Sequence, residues 1–238
     1  MPKGRFATLS AWSYSVYTSY LNCPFQVCLE KIIRHRVQEE PKNEAMERGT
    51  RVHDAAEAFV GSIGRAPKLI PELQVQRDLL MRLRKANART EQEWAFTREW
   101  TPTGWLDRDC WLRIKVDACT DAKTPPTVEI VDYKTGRVHP EHKQQRSLYA
   151  LGGLQLVQIG QLAGGAKDVQ LTAAHVYTDT TQTATEQYVM KDLPALKREW
   201  LTRIKTMMSD TQFRTKVGRH CRWCKFAKSK GGPCPENK

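Results

Sequence analysis

An apolar run that ends in an acid and a lysine is the first place where this sequence could do chemistry. Residues 128–136 read VEIVDYKTG and predict a buried strand. Asp132 and Lys134 would point to the same face of it, because strand side chains alternate. Taken alone, such a pair is more often a strand end whose charges meet water. A site that holds a metal ion and a phosphate would use both side chains.

A second acid lies on the preceding predicted strand, residues 111–119. The turn-rich stretch between the two strands predicts a hairpin that folds about residues 123–125. Cross-strand pairing would then place Asp117 roughly opposite Val131 and Asp132. Two carboxylates this close repel each other unless a cation lies between them. The pair therefore predicts a divalent metal site with a lysine beside it.

The composition fits an ordinary globular protein that stays in the cytosol. The chain has 238 residues, of which 40% are apolar and 27% charged, enough for one substantial core. It contains no apolar run of the ~20 residues that a membrane span needs. It also lacks a signal-peptide core at its amino terminus. We expect a cytoplasmic protein (in the host cytosol if a phage encodes it) with no membrane partner.

The charge of the chain is strongly positive and uneven. The formal net charge is +12, and the stretch from Lys197 onward has 12 basic and 3 acidic residues. Such an excess favours a polyanionic partner, although a solvated basic tail is the alternative. Phe226 and one tryptophan interleave with the basic residues, as in single-strand binding proteins. The candidate nucleic-acid contacts are Arg219, Arg222, Trp223, Lys225, Lys228 and Lys230.

Hydrophobic periodicity predicts an α/β fold. The predicted helices cover residues 8–36, 44–59, 72–93 and 140–162, and a last helix begins near Asp192 and ends at Met208; the predicted strands cover 94–100, 111–119, 128–136, 169–178 and 185–190. This order predicts a mixed sheet flanked by helices. We expect one domain with a helical part (1–93), a core sheet (94–190) and a carboxyl-terminal helix with a basic cysteine module (191–238).

The cysteines form a second constellation. Cys221 and Cys224 make a C-x2-C pair, and Cys234 follows ten positions later. Cytosolic disulfides are rare, so the group predicts a metal site rather than disulfides; free surface thiols are the alternative. Cys23, which precedes a proline, and Cys28 are the candidates for a fourth ligand. Four thiolates suit either zinc or an iron–sulfur cluster.

Together these residues resemble the RecB-like branch of the PD-(D/E)XK nucleases, which includes helicase-associated nucleases, CRISPR-adaptation nucleases and phage recombination exonucleases. The matching motifs, in the family's order, are Gly49–His53 for G-x-x-x-H, Asp117 for the acid of the second strand, Asp132-Tyr133-Lys134 for D-Y-K, and Gln145 with Tyr149 for Q-x-x-x-Y. Cys23, Cys221, Cys224 and Cys234 are similar to the split set that binds a [4Fe–4S] cluster in some members. The spacing from Cys224 to Cys234 is longer than usual for that set.

The resemblance implies a restriction-endonuclease-like fold in which the carboxyl-terminal cysteine cluster is joined to the amino-terminal helix. It also implies a DNase that depends on Mg²⁺ or Mn²⁺. The metal ligands it implies are His53, Asp117, Asp132 and the backbone carbonyl of Tyr133. Lys134 would orient the attacking water, and Gln145 and Tyr149 would position the lysine or the DNA backbone. The expected activity is an exonuclease on DNA ends or single strands, in recombination, repair or phage DNA processing.

The sequence leaves two other functions to compare with this one. It has no G-x-x-x-x-G-K-[ST] phosphate loop, so the nuclease would act alone or with a helicase or recombinase as partner. The first alternative is a non-catalytic DNA-binding recombination accessory with a structural metal cluster. The second, a thiol redox protein that uses Cys221 and Cys224, is disfavoured because no thioredoxin-like pattern surrounds the pair.

Overall fold

The computed structural model describes residues 5–37 and 44–236. The strands are β1 (Trp12–Ser13), β2 (Arg89–Phe96), β3 (Leu112–Lys123), β4 (Pro126–Lys134), β5 (Gln170–Tyr177) and β6 (Thr183–Val189). The α-helices are α1 (Tyr14–Asn22), α2 (Pro24–Val27), α3 (Glu44–Gly61), α4 (Arg77–Lys85), α5 (His142–Gln158) and α6 (Leu193–Ser209). No helix among the described residues is both long enough and apolar enough to cross a membrane.

Within the described residues, six strands form one mixed sheet. Its order is β1-β3-β4-β5-β6, and β2 also pairs with β3. The β3/β4 and β5/β6 pairs are antiparallel, whereas β1/β3 and β4/β5 are parallel. Parallel neighbours need a crossover connection, and α5 provides it between β4 and β5. The predicted α/β class with a restriction-endonuclease-like mixed sheet is confirmed.

The hairpin of β3 and β4 turns where the sequence predicts it. Lys123 pairs with Pro126, and Ala118 pairs with Val131. One step further along the same register brings Asp117 opposite Asp132, because paired residues in an antiparallel ladder change by one in opposite directions. The register alone therefore brings the two acids together.

Helix α5 lies unusually close to the sheet. All of its residues from Arg146 to Val157 are buried, so the helix has no solvent-facing stripe along this length. Gly152 and Gly153 allow the approach. A Cβ atom on Gly152 would lie 2.6 Å from Ile114 Cδ1, and one on Gly153 would lie 2.6 Å from Leu171 Cδ1. The close packing of α5 on the sheet thus requires glycine at these two positions.

Two predicted helices differ from the structure. The helix predicted for residues 72–93 is a 3₁₀ turn (Pro71–Gln76) followed by α4, which ends at Lys85. Asn87 has a φ of 53°, a left-handed conformation that commonly ends helices. Strand β2 then begins at Arg89, so the helical assignment of residues 89–93 was wrong. The helix predicted for residues 8–36 begins later, at Tyr14, and ends in a π-helical turn (Cys28–Ile32), whereas its interruption at Pro24 agrees with the sequence prediction.

Contacts divide the chain into two compact units. The described parts of residues 42–94 and 114–199 form one unit, whose core lies among α3, α4 and the sheet and is centred on residues such as Val52, Leu80 and Val131. The described parts of residues 1–41, 95–113 and 200–238 form the other, which has a tryptophan core. There the ring of Trp12 lies 5.6 Å from that of Trp200 and 5.7 Å from that of Trp111. Aromatic rings at this separation stabilise each other beyond their buried area.

Candidate active site

A histidine and two acids meet where α3 faces the sheet. Helix α3 carries His53, and β2 and β3 carry Glu91 and Asp117. One possible ligand atom from each of these residues lies within 4.8 Å of the other two. His53 Nδ1 is 3.2 Å from Asp117 Oδ2. An imidazole and two carboxylates make a donor set that Mn²⁺ or Mg²⁺ would accept.

The acid and the lysine at the end of β4 lie on the same face of the strand. Asp132 is 5% exposed, and its Oδ2 lies 2.5 Å from Lys134 Nζ. This contact is an ion pair between a buried carboxylate and a partly exposed ammonium. Between the two residues, the Tyr133 backbone N–H donates to Asp117 Oδ2 over 2.7 Å. The Tyr133 carbonyl as a metal ligand stays a prediction.

Two side chains on α5 hold the other oxygen of Asp132. Gln145 Nε2 donates to the hydroxyl of Tyr149 over 2.6 Å. That hydroxyl in turn donates to Asp132 Oδ1 over 2.5 Å. The pair lies four residues apart on one face of the helix, as the sequence predicts. Tyr149 is buried, so its hydrogen bond fixes the carboxylate in a site without competing water.

The two acids differ in their electrostatic surroundings. Burial and the nearby negative charge of Asp132 raise the pKa of Asp117, and the opposing effect of His53 does not cancel them. Burial alone would raise the pKa of Asp132 too, but Lys134, His175 and the hydrogen bond from Tyr149 hold it below its ordinary value. Burial would lower the pKa of His53, but its contact with Asp117 outweighs this and raises it. A cation near both acids would relieve their repulsion.

Glu91 is a member of this group that sequence reasoning missed. It lies on β2, in a region predicted as helix, and it has a φ of 48°. Left-handed backbone is rare for a glutamate and is found at functional sites more often than elsewhere. The carboxylate forms an ion pair with Lys115 on β3. A helical periodicity would not have placed Glu91 near Asp117, so only the strand assignment could have identified it.

His175, Arg146 and Glu186 form a second set that the sequence did not indicate. His175 lies on β5 and is fully buried. Burial is the main cause that lowers the pKa of its imidazole to about 3. The positive charges of Lys134 and Arg146 act in the same direction, and the negative charge of Asp132 acts against it. A lone histidine in an apolar strand usually reads as a core residue. The register, which pairs His175 with Asp132, shows that it lies beside the site.

The cysteine thiols predicted as ligands lie near one another in the tryptophan-core unit. Burial raises the pKa of Cys224, and so do the neighbouring thiols of Cys23, Cys234 and Cys221. Cys23 also raises the pKa of Cys234. Burial, and then the charge of Asp210, raise the pKa of Cys28 to about 11, and no other cysteine contributes to that shift. Cys23 thus lies close enough to the carboxyl-terminal thiols to raise the pKa of two of them.

The basic residues near the carboxyl terminus are mostly exposed. Trp223 keeps 73% of its surface exposed, as a base-stacking residue would. Phe226, predicted to interleave with the basic residues, is instead buried and contacts the ring of His35. Lys225 forms an ion pair with Glu30, with 2.9 Å between Nζ and Oε1. The remaining predicted contacts are exposed: Arg219, Arg222, Lys228 and Lys230.

Comparison with known proteins identifies the family. Residues 11–229 match the sequence profile of the PD-(D/E)XK nuclease superfamily. The chain is also similar to the crystal structure of SSO0001, at 15% identity and a TM-score of 0.37, over 98% of this chain and 89% of that chain. No curated protein matches the sequence. Because the match extends over nearly the whole chain, this protein belongs to the PD-(D/E)XK nuclease superfamily.

Proposed function

We propose that the protein is a DNase that depends on Mg²⁺ or Mn²⁺, and that it acts as an exonuclease on DNA ends or single strands. The observation that carries the proposal is the convergence of His53, Asp117 and Glu91 within 4.8 Å of one another, with Asp132 and Lys134 beside them. Membership of the superfamily supports phosphodiester hydrolysis as the reaction.

The residues that would hold the cation are His53, Glu91, Asp117 and Asp132, together with the Tyr133 carbonyl. When bound there, a divalent ion polarises a phosphodiester and lowers the pKa of a nearby water. Asp117 is fixed for this role by the Tyr133 N–H. The negative charge of Glu91 would strengthen cation binding, whereas the positive charge of Lys115, its ion-pair partner, would weaken it. The carboxylate oxygens favour Mg²⁺, and the imidazole makes Mn²⁺ at least as good.

Lys134 would orient the attacking water and offset the charge that develops on the phosphate. Its side chain is 23% exposed and its ammonium forms an ion pair with Asp132. The ammonium is therefore accessible from solvent and fixed in position. A donor fixed in advance stabilises developing negative charge without reorganisation. Gln145 and Tyr149 would hold Asp132 so that Lys134 keeps this position.

The test compares two lysine variants on end-labelled DNA. We expect Lys134→Ala to reduce cleavage of single-stranded and duplex DNA to background with Mg²⁺ or Mn²⁺, while the protein stays folded and its affinity for DNA stays close to that of the wild type. Lys167→Ala, which removes an equal charge from an exposed position, is the matched control and should cleave normally. Cleavage by Lys134→Ala near the wild-type rate would remove Lys134 from the mechanism.

The same assay decides between the nuclease and the DNA-binding accessory. A wild-type protein that binds DNA but cleaves neither substrate with either ion would favour the accessory, with exposed Trp223 and its basic neighbours as the working surface. Products that shorten from a labelled end would support exonuclease action. We propose that the protein acts in the cytosol, which would be the host cytosol if a phage encodes it. We also propose a helicase or recombinase as its protein partner.

We further propose that Cys23, Cys221, Cys224 and Cys234 hold a [4Fe–4S] cluster. Backbone N–H groups donate to three of the sulfurs: Gly218 to Cys221, Phe226 to Cys224 and Glu236 to Cys234. Such donors favour the thiolate form. Within residues 5–37 and 44–236, no three cysteine sulfurs lie within 4.8 Å of one another. One zinc ion with Zn–S bonds of ~2.3 Å needs closer sulfurs, so the spacing favours a cluster.

An anaerobic preparation tests the cluster directly. We expect iron, sulfide and visible absorption in the wild type, and loss of all three in Cys221→Ala together with lower thermal stability. Cys119→Ala, which removes a buried thiol from the sheet, is the control and should keep its iron. Zinc at one ion per chain without visible absorption would instead support the zinc alternative.

A further inference from the structure

A line of polar side chains, buried except at its partly exposed outer end, leads from the edge of the sheet to Asp132. It begins at Glu186 on β6, passes through Arg146 on α5 and reaches His175 on β5. Arg146 and His175 are 7% and 0% exposed. Burying such polar groups is costly unless each finds a partner, and apolar side chains could fill the same space. The line therefore calls for an explanation.

Hydrogen bonds fix the orientation of each member. Arg146 Nε donates to Glu186 Oε2 over 2.8 Å, and Nη2 donates to Oε1 over 3.4 Å. This paired contact holds the guanidinium plane. The third nitrogen, Nη1, lies 3.1 Å from His175 Nδ1.

The chemistry of arginine decides which nitrogen of His175 carries hydrogen. A guanidinium can only donate, so Nδ1 must accept from it and the hydrogen of the neutral ring is on Nε2. His175 Nε2 lies 3.5 Å from Asp132 Oδ2. Both atoms are buried, and among the described residues neither has a hydrogen-bond partner. An N–H donor therefore faces the carboxylate oxygen that also forms the ion pair with Lys134.

We propose that His175 is a positioning residue: Arg146 and Glu186 hold it as the Nε2–H tautomer, and its N–H orients Asp132 for cation binding. Tyr149 holds Oδ1 from one side and His175 faces Oδ2 from the other, so the carboxylate plane is fixed at both oxygens. His175 is not itself a ligand, because the nitrogen that faces the site carries hydrogen. Carboxylate ligands of metals are commonly hydrogen-bonded in this way. The consequence for cation binding rests on the proposed nuclease function; the tautomer does not.

The tautomer is measured without any metal. Two-bond ¹H–¹⁵N NMR of protein labelled at histidine distinguishes the two neutral forms, and the His175 signals are assigned from their loss in His175→Gln. We expect the Nε2–H form in the wild type and a mixture of both forms in Arg146→Met, which removes the donor to Nδ1. A wild-type ring that carries its hydrogen on Nδ1 would overturn the assignment.

Cation binding is measured by EPR titration with Mn²⁺ in the absence of DNA. Two replacements of similar polarity separate positioning from a packing role. The amide of His175→Gln reaches the place of Nε2 and keeps a donor towards Asp132, whereas the shorter amide of His175→Asn reaches only the place of Nδ1. We expect His175→Gln to bind Mn²⁺ within about threefold of the wild type and His175→Asn to bind it about 10- to 100-fold more weakly.

The outcomes keep the two proposals apart. Equal Mn²⁺ affinity of His175→Gln and His175→Asn, in proteins of equal thermal stability, would overturn the positioning role while leaving the nuclease intact. A wild type that binds no Mn²⁺ would overturn the proposed function and with it the role of His175 in cation binding. Rescue of DNA cleavage by glutamine but not by asparagine would support both.

Discussion

Replacing Gly153 by alanine tests how closely α5 must approach the sheet. The new Cβ atom would lie 2.6 Å from Leu171 Cδ1 and 2.9 Å from Ile130 Cδ1. Both neighbours are fully buried, so neither methyl group can move into solvent. Either the helix or the two side chains must shift.

Two opposing contributions set the expected change in the free energy of unfolding. Alanine in place of glycine within a helix is worth about 0.5–1 kcal/mol in favour of folding. Overpacking of a dense core costs about 1–3 kcal/mol. We therefore expect Gly153→Ala to be destabilised by up to about 2.5 kcal/mol. Gly49→Ala in α3 is the matched control, because its Cβ would meet only Thr135 Oγ1 at 3.6 Å.

The assay is urea unfolding of both variants followed by DNA cleavage. Gly49→Ala should be more stable than the wild type by up to about 1 kcal/mol, so the difference between the variants isolates the steric cost at about 1–3 kcal/mol. Leu171→Val removes the closest methyl group and should reduce the cost of Gly153→Ala in a double-mutant cycle. Cleavage should fall as well, since Tyr149 lies one turn before Gly153 on the same helix.

A Gly153→Ala protein as stable as Gly49→Ala would refute this reasoning. It would mean that α5 moves outward at no cost, and that the depth of the helix does not set the reach of Tyr149. Loss of stability with unchanged cleavage would keep the packing argument and reject its link to the site.

Three further predictions concern single side chains. Tyr149→Phe removes the donor to Oδ1 of the buried Asp132 carboxylate and should lower the free energy of unfolding by about 1.5–3 kcal/mol in urea titrations, with slower cleavage. Glu91→Gln should weaken Mn²⁺ binding about tenfold or more, ~1.4 kcal/mol, and Lys115→Met should strengthen it; equal EPR titrations would exclude Glu91 from the site. The pKa of Asp210 is lowered, because the hydrogen-bond donors around its carboxylate outweigh its burial. The ionised carboxylate therefore stabilises the folded state above the ordinary aspartate pKa of about 3.9. This stabilisation is lost as the pH falls through the lower pKa of the folded state. Thermal unfolding of Asp210→Asn should therefore depend less on pH below about 4.

The sheet and its acids were predictable because they depend on local pattern. Alternating apolar residues identify β3 and β4, and the short turn fixes their register, which brings Asp117 opposite Asp132. The first residues of β2, 89–93, were wrongly predicted as helix because they are polar and give no strand periodicity. Asparagine is a residue type that commonly ends helices, and Asn87 has the left-handed backbone of such an end. A helix ended at Asn87 would have left Glu91 free to be assigned to a strand.

His175 and Arg146 could not be identified in this way. Arg146 sits in a helix buried on all sides, and its partners lie 29 and 40 residues further along the chain. No local spacing relates positions on a helix, an inner strand and an edge strand. Their contact follows from the crossover that places α5 over β5 and β6, which only the assembled fold provides.

The different surroundings of the two acids give them different roles in the proposed cation site. Asp132 is held by Lys134, Tyr149 and the facing N–H of His175, so its negative charge is compensated by the protein itself. Asp117 has the Tyr133 N–H and His53, and its pKa is raised by burial and by Asp132. Its charge is the one that the fold leaves poorly compensated. Because a bound divalent ion would supply that compensation, cation binding and proton release from the Asp117–His53 pair must be coupled.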